Sequence, residues 1–275
     1  MAAPPPGPSL APLIRRRCTP GGCLSLRVAR ELAEQAGVSL RDVERAALKA
    51  GVCPERFARH VEEIGHAGQA RLLRSRAAVV GLGGLGGFVL EALGRLGLGE
   101  VVGIDPDAFE ETNHNRQVLS GYDELGRAKA EAAARRFADL NPAGAFRAIP
   151  CRCEDVDDGL LAACRVVFDC LDNIPSRRRL AERCSRLGRV LIHGAVAGRI
   201  GQVAVCPPGD DLLGRIYPPR CMPPAVPPPV PVSTVMTAAG LMVSAALDTL
   251  LDRAPARAAL WLLDLAEGTC ERAEV

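Results

Sequence analysis

One segment constrains the fold of this chain more than any other: an apolar run that passes directly into closely spaced glycines. Residues 76–80 read RAAVV, the run GLGGLG follows, and residues 87–95 continue with helical apolar periodicity. The glycines are Gly81, Gly83, Gly84 and Gly86. A strand that turns sharply into a helix needs glycine for the turn and for close backbone approach. The pattern therefore predicts a strand–turn–helix unit whose helix N-terminus is open to phosphate oxygens.

The rest of the chain after residue 76 alternates short apolar runs with longer amphipathic segments. Strand-like runs lie at residues 100–105, 145–152, 166–173 and 190–206, and helical periodicity fills most of the intervals. Strands alternating with helices of ten or more residues are typical of a parallel sheet covered on both faces. The sequence therefore predicts an α/β fold with a doubly wound, Rossmann-like sheet.

Three regions differ from this pattern. Residues 1–23 are rich in proline and alanine and are expected to form a disordered tail. Residues 24–54 hold two amphipathic periods separated by Gly37 and Ser39, which predicts a helical hairpin extension. Residues 55–275 are expected to form the main domain, and the proline-rich residues 207–231 a loop that crosses it.

Composition excludes several classes of function. The net charge is +2 and aromatic residues make up 3% of the chain, which argues against nucleic-acid binding. Eleven cysteines occur without any Cys-x-x-Cys pair and without a secretory leader, so we expect a cytoplasmic protein with free thiols and no zinc. The apolar run 232–251 is interpreted as a core helix, so no membrane association is expected.

Polar residues that suit a nucleotide follow the predicted strands. Asp105 ends the second strand, where a carboxylate accepts hydrogen bonds from ribose hydroxyls. Asn113, Arg116 and Gln117 come next, and Lys129 opens a helix, although the chain contains only two lysines. Asp172 closes a later strand, where it is able to hold Mg²⁺. An arginine, a lysine and a metal carboxylate point to phosphate chemistry, but the glycine loop alone leaves NAD(P), FAD and ATP open.

Taken in order, these motifs resemble the ThiF/MoeB/HesA family of adenylyltransferases, bacterial relatives of ubiquitin-activating enzymes. The resemblance rests on GLGGLG, on ID at the second strand, and on N-x-x-R-Q, G-x-x-K and D-x-x-D-N, and it extends from about residue 56 to the C-terminus. It implies a sheet with a parallel first half and a mixed or antiparallel second half. It also implies that ATP and Mg²⁺ adenylate the C-terminal glycine of a small ubiquitin-like sulfur-carrier protein ending in Gly-Gly, with release of pyrophosphate.

The resemblance also assigns roles to individual residues. The glycine loop would hold the nucleotide phosphates, Asp105 the ribose, and Asp172 the magnesium. Asn113, Arg116 and Lys129 would contact the phosphates, with Gln117 beside them. Arg59 would reach the ATP of the other subunit of a homodimer. The paired cysteines that hold zinc in many relatives are missing here, and Cys221 is expected to be an inert loop thiol.

Two other functions remain open from the sequence. An NAD(P)-dependent oxidoreductase would account for the glycine loop and Asp105, but it gives Arg116, Lys129 and Asp172 no joint role. A non-catalytic nucleotide-binding scaffold, or a regulator using residues 26–51 on DNA, would account for the helical extension. The motifs do not identify the pathway that the carrier protein serves.

Overall fold

The computed structural model describes residues 10–221, 228–253 and 256–273. Its centre is an eight-stranded sheet in the order β10-β9-β8-β7-β6-β3-β4-β5. The strands are β3 (Arg76–Val80), β4 (Glu100–Ile104), β5 (Ala145–Ile149), β6 (Val166–Asp169), β7 (Val190–Ala197), β8 (Ile200–Cys206), β9 (Ala259–Asp264) and β10 (Thr269–Ala273). From β5 across to β7, neighbouring strands pair in parallel, and from β7 across to β10 they pair antiparallel. The predicted sheet with a parallel half and an antiparallel half is confirmed.

Helices cover both faces of this sheet, because alternate residues of its central strands point to opposite sides. In β3, Ala77 and Val79 join one buried cluster, whereas Ala78 and Val80 join the other. The first face packs against α6 (Gly84–Arg95), α7 (Lys129–Leu140) and α11 (Val232–Leu251). The second face packs against α8 (Asp158–Ala162), α9 (Ile174–Arg186) and α10 (Leu212–Ile216).

Helix α11 is the apolar segment that could be mistaken for a membrane span. It is long and apolar enough to cross a membrane by length and composition. Half of its most apolar stretch is buried, and it packs against α6, β7 and β8. The interpretation of this segment as a core helix is therefore confirmed.

The N-terminal region forms a small helical unit that packs against the main domain. Its elements are α1 (Leu10–Arg17), β1 (Cys23–Leu24), α2 (Leu26–Ala36), α3 (Leu40–Lys49) and β2 (Cys53–Pro54). Helices α2 and α3 are the predicted hairpin, each capped by a serine. Arg41 of α3 donates to the main-chain oxygens of Ala143 (2.9 Å) and Gly99 (2.6 Å). These two hydrogen bonds join the unit to the main domain.

The prediction of a disordered tail over residues 1–23 is wrong for the part that the structure describes. Helix α1 buries Ile14 completely, and Leu10 and Leu13 pack against the same cluster as α2 and α3. Prolines on both sides of this short apolar stripe made the composition of the whole segment typical of a disordered tail. Residues 1–9 lie outside the described residues.

Residues 55–74 form a 3₁₀ turn and the short helices α4 (Val61–Ile64) and α5 (His66–Leu72), which Gly65 separates with a φ of +79°. The proline-rich stretch 207–231, expected to be a loop, includes α10 within its described part, and its residues 222–227 lie outside the description.

Candidate active site

A cavity of about 840 Å³ opens at the carboxyl ends of β3, β4 and β6, within the size range of ligand sites. In open α/β sheets, ligands bind at this edge, beside the point where strand order reverses. Several predicted site residues line it: Gly81, Gly83, Gly84, Asp105, Arg116, Gln117, Lys129 and Asp172. The topology thus brings together residues that lie up to 91 positions apart in the chain.

The glycine loop connects β3 to α6, and neighbouring main-chain atoms leave almost no space for a side chain in it. Gly81 has a φ of +90°, and a Cβ placed there would lie 2.6 Å from the Cys170 carbonyl oxygen. Helix α6 begins at Gly84 and has no side-chain cap at its N-terminus. Its first main-chain N–H groups are therefore available to an anion in the cavity.

Gly86 was predicted to bind the nucleotide, but it does not line the cavity. A Cβ at Gly86 would stand 1.8 Å from the Gly81 carbonyl oxygen. Glycine is required there because α6 passes directly over the turn. Its contribution to the site is to let the loop and helix approach each other.

Asp105 is 5% exposed and organises the glycine loop from the end of β4. Its Oδ2 accepts from Leu82 N at 2.6 Å, and its Oδ1 accepts from Asp107 N at 2.9 Å. Burial raises the pKa of Asp105, although these hydrogen bonds and the charge of Lys129 oppose that rise. Each oxygen has a further lone pair, so Asp105 is able to accept from a ribose hydroxyl as well.

Lys129 begins α7 with its side chain only 9% exposed. Its Nζ lies 3.1 Å from Oδ2 of Asp107, which is mostly exposed and lines the cavity. Asp107 was not predicted from the sequence, although its position two residues after Asp105 was the available signal. An ammonium with one carboxylate partner keeps two N–H donors for another ligand.

Residues 113–117 contribute two residues to the cavity wall and keep a third away from it. Arg116 lines the cavity and donates to Thr112 O at 2.8 Å. Gln117 packs over Gly83, and its buried Oε1 has no hydrogen-bond partner. Asn113, predicted to contact phosphate, does not line the cavity. Its Oδ1 instead accepts from Glu110 N at 3.1 Å and closes a local turn.

Asp172 lies exposed in the cavity wall just after β6. Its Oδ1 accepts from Asn173 Nδ2 at 3.2 Å, and Asn173 caps α9 through Ser176 N. No group of three or more metal-ligating side chains occurs in residues 10–221, 228–253 and 256–273. A metal ion beside Asp172 would therefore need oxygen ligands from a bound phosphate or from water.

Arg59 does not reach this cavity within the same chain. It is exposed, follows the 3₁₀ turn at Glu55–Phe57, and is absent from the cavity wall. Its neighbour Arg56 forms a two-point ion pair with the buried Glu44, at 2.9 and 2.8 Å. The turn that presents Arg59 is therefore held against the N-terminal unit.

A buried polar cluster beneath the site was not anticipated as a unit. Asp169 and His193 are fully buried, and Arg177 is nearly so. Arg177 donates to the carbonyl oxygens of Leu171 and Gly194. His193 does not line the cavity. The available signal was a histidine in the middle of an otherwise apolar strand.

Comparison with known proteins agrees with this architecture. A model of the ThiF family matches residues 57–275. The chain is 36% identical over 176 residues to the SAMP-activating enzyme E1 of Haloferax volcanii, covering 63% of this chain and 65% of the relative. It is 37% identical over 170 residues to a sulfur carrier protein adenylyltransferase of Thermus thermophilus, covering 61% and 62% respectively. Both matches span less than two thirds of the relative's length.

Solved structures of Escherichia coli MccB share the fold. One MccB chain superposes with a TM-score of 0.69 at 17% identity, covering 90% of this chain and 80% of that one. A complex of MccB with ATP gives 0.65 at 18% identity, covering 90% and 82%. With the family match extending over most of its length, the chain belongs to the ThiF family.

Proposed function

We propose that this protein transfers AMP from ATP to the C-terminal glycine carboxylate of a small ubiquitin-like sulfur-carrier protein ending in Gly-Gly. The observation that carries the proposal is one cavity that joins an open helix N-terminus, a nearly buried lysine and an exposed carboxylate. The similarity to an activating enzyme and to a carrier-protein adenylyltransferase supports it.

The reaction requires little covalent chemistry from the protein. A carboxylate oxygen of the carrier attacks the α-phosphorus, the bond to the bridging oxygen of the β-phosphate breaks, and pyrophosphate leaves. A C-terminal carboxyl has a pKa of about 3.5, so it is already ionised near pH 7 and needs no general base. Catalysis then depends on alignment of the two reactants and on neutralising charge as pyrophosphate departs.

The residues in the cavity are suited to aligning the reactants and to neutralising this charge. The N–H groups at the start of α6 would hold phosphate oxygens, and Asp105 would accept from the ribose. Arg116 and Lys129 supply positive charge for the triphosphate. Asp172 would hold Mg²⁺ together with phosphate oxygens, and the ion would supply further charge neutralisation.

A shared site between two subunits completes the proposal. Arg59 is exposed outside its own cavity, as the resemblance requires of a residue that serves the other protomer. We therefore propose a homodimer in the cytoplasm. The oxidoreductase alternative gains nothing from the structure, because hydride transfer gives no role to the Lys129–Asp107 pair or to Asp172.

The experiment is exchange of labelled pyrophosphate into ATP, stimulated by a purified carrier protein with a Gly-Gly terminus. Asp172→Asn removes a metal ligand's charge, and we expect a loss of about a hundredfold, or roughly 3 kcal/mol. The matched control is Asp248→Asn, at an exposed position of α11 outside the cavity. We expect this control to exchange pyrophosphate at the wild-type rate. Near wild-type exchange by Asp172→Asn would remove the metal role from this residue.

Lys129→Arg tests the cationic position with the charge retained. The lysine is nearly buried, and the larger planar guanidinium has a different reach, so we expect most activity to be lost. The chain offers one matched control, Lys49→Arg, on an exposed position of α3. Binding of AMP should persist in both Lys129→Arg and Asp172→Asn, since the glycine loop and Asp105 are unchanged. Absence of carrier-stimulated exchange in the wild-type protein would refute the proposed function.

A further inference from the structure

The buried cluster beneath the site extends to a part of the chain that the proposed mechanism does not use. The Nδ1 of His193 lies 2.7 Å from Asp169 Oδ2, and its Nε2 lies 3.1 Å from the Tyr217 hydroxyl. The Nε2 of Gln202 lies 2.5 Å from the same hydroxyl. Tyr217 directly follows α10 within residues 207–221, which we call the 207–221 arm.

The direction of these hydrogen bonds follows from the charges in the cluster. Burial alone raises the pKa of Asp169, but the charge of Arg177 and the hydrogen bond from His193 hold it below its usual value. Burial lowers the pKa of His193, as does the Arg177 charge. At neutral pH the pair is therefore a carboxylate and a neutral imidazole whose Nδ1–H donates to Asp169.

This tautomer leaves His193 Nε2 as an acceptor. The Tyr217 hydroxyl donates to Nε2 and accepts from Gln202, whose Nε2 also lies 3.2 Å from His193 Nε2. On the other side of the ring, Arg177 Nη1 lies 3.0 Å from His193 Nδ1 and 2.7 Å from Gly194 O. Tyr217 also contacts the imidazole edge-on, with ring centroids 5.5 Å apart. The hydroxyl is therefore held at a single position relative to the sheet.

The same cluster holds the residue that precedes Asp172. Asp169 Oδ1 accepts from Leu171 N at 3.1 Å, and Arg177 donates to Leu171 O. Both main-chain polar groups of Leu171 are therefore fixed by buried side chains. Leu171 and Asp172 both line the cavity.

We propose that Tyr217 is a positioning residue whose hydroxyl, through His193 and Asp169, fixes the 207–221 arm and the Leu171–Asp172 turn as one unit. The effect on catalysis rests on the proposed function, because it acts through Asp172. The coupling between the two segments does not rest on it, since it follows from the hydrogen bonds alone.

The first test is hydrogen–deuterium exchange of the Tyr217→Phe protein, which loses one hydroxyl and keeps the ring. We expect exchange to accelerate at least fivefold both in peptides spanning 170–173 and in peptides spanning 212–221. The chain has two tyrosines, and the exposed Tyr122 lies outside the cluster, so Tyr122→Phe is the matched control. Acceleration confined to 212–221, or absent from both segments, would overturn the proposal.

A second measurement leaves Tyr217 intact and needs no activity. In Tyr122→Phe, Tyr217 is the sole tyrosine, and its phenol absorbance reports its ionisation directly. Burial raises the pKa of Tyr217, so the phenol should ionise at higher pH in the folded protein than in urea. Ionisation at the same pH in both states would show that the hydroxyl is not held in the cluster.

The catalytic consequence is measured by pyrophosphate exchange. We expect Tyr217→Phe to lower kcat three- to tenfold while the KM for ATP stays within twofold, because the glycine loop and Asp105 are untouched. Unchanged kcat would remove Asp172 positioning from the proposal. A wild-type protein without exchange activity would refute the proposed function, and the deuterium-exchange result would still decide the role of Tyr217.

Discussion

Substitution of Gly86 by alanine tests the packing that forms the glycine loop. The added Cβ would lie 1.8 Å from the Gly81 carbonyl oxygen, whereas close C···O contacts lie at about 3.3 Å. The two groups must therefore separate by about 1.5 Å. Both belong to the main chain of packed elements, so no side-chain rotation relieves the overlap.

The magnitude follows from this geometry. Overpacking of a core typically costs about 1–3 kcal/mol, and an overlap between main-chain groups should reach or exceed the upper value. For a domain of this size, about 3 kcal/mol lowers Tm by about 6–12 °C. The displaced turn also moves Leu82 N away from Asp105, so we expect ATP binding to weaken at least tenfold.

Thermal unfolding and ATP titration measure these effects, and the same substitution at Gly240 is the matched control. Gly240 lies within α11, and a Cβ added there would meet no neighbouring group within 4 Å. Gly240→Ala should therefore raise stability by about 0.5–1 kcal/mol and leave ATP affinity unchanged. A Gly86→Ala protein with a Tm within 2 °C of wild type would refute the close approach of α6 to the turn.

Four further predictions concern other parts of the molecule. Arg59→Ala and Lys129→Ala should each abolish exchange, and mixing them should restore part of it because one heterodimer site is complete; no recovery after demonstrated subunit exchange would refute a shared site. Arg41→Met should cost about 1–3 kcal/mol in urea unfolding, because two main-chain carbonyls lose their donor. Hydrogen bonds from Arg179 and a serine lower the pKa of Glu154 to about 2, so its stabilisation is present above about pH 4.3 and is lost as the pH falls through 2. Glu154→Gln should therefore destabilise the protein by about 0.5–1 kcal/mol at pH 7 and not below pH 2; equal stability at pH 7 would contradict this. Purified protein should contain well under one zinc per chain and remain folded in a chelator, and stoichiometric zinc would contradict that expectation.

Local sequence determined the strand–turn–helix unit and the order of the main elements. Gly86 is required by its close approach to the Gly81 carbonyl oxygen, and Gly81 by its φ of +90°, so local geometry is enough to predict these two glycines. The alternation of strands and helices likewise made the parallel half of the sheet predictable. Asp105, Lys129 and Asp172 could be assigned to one site because the carboxyl ends of parallel strands meet at one edge.

Features that depend on contacts between distant segments were decided only by the tertiary structure. Gly86 and Asn113 occupy motif positions, and only the position of the cavity among the packed elements shows that neither residue lines it. The apolar stripe of α1 is buried because α2 and α3 pack beside it. The hydrogen bonds that join Asp169 to Tyr217 cross 48 positions of sequence, and no local periodicity encodes such a pairing. Propensity acts over a few residues, whereas the partner of a buried polar group depends on which strands and helices lie side by side.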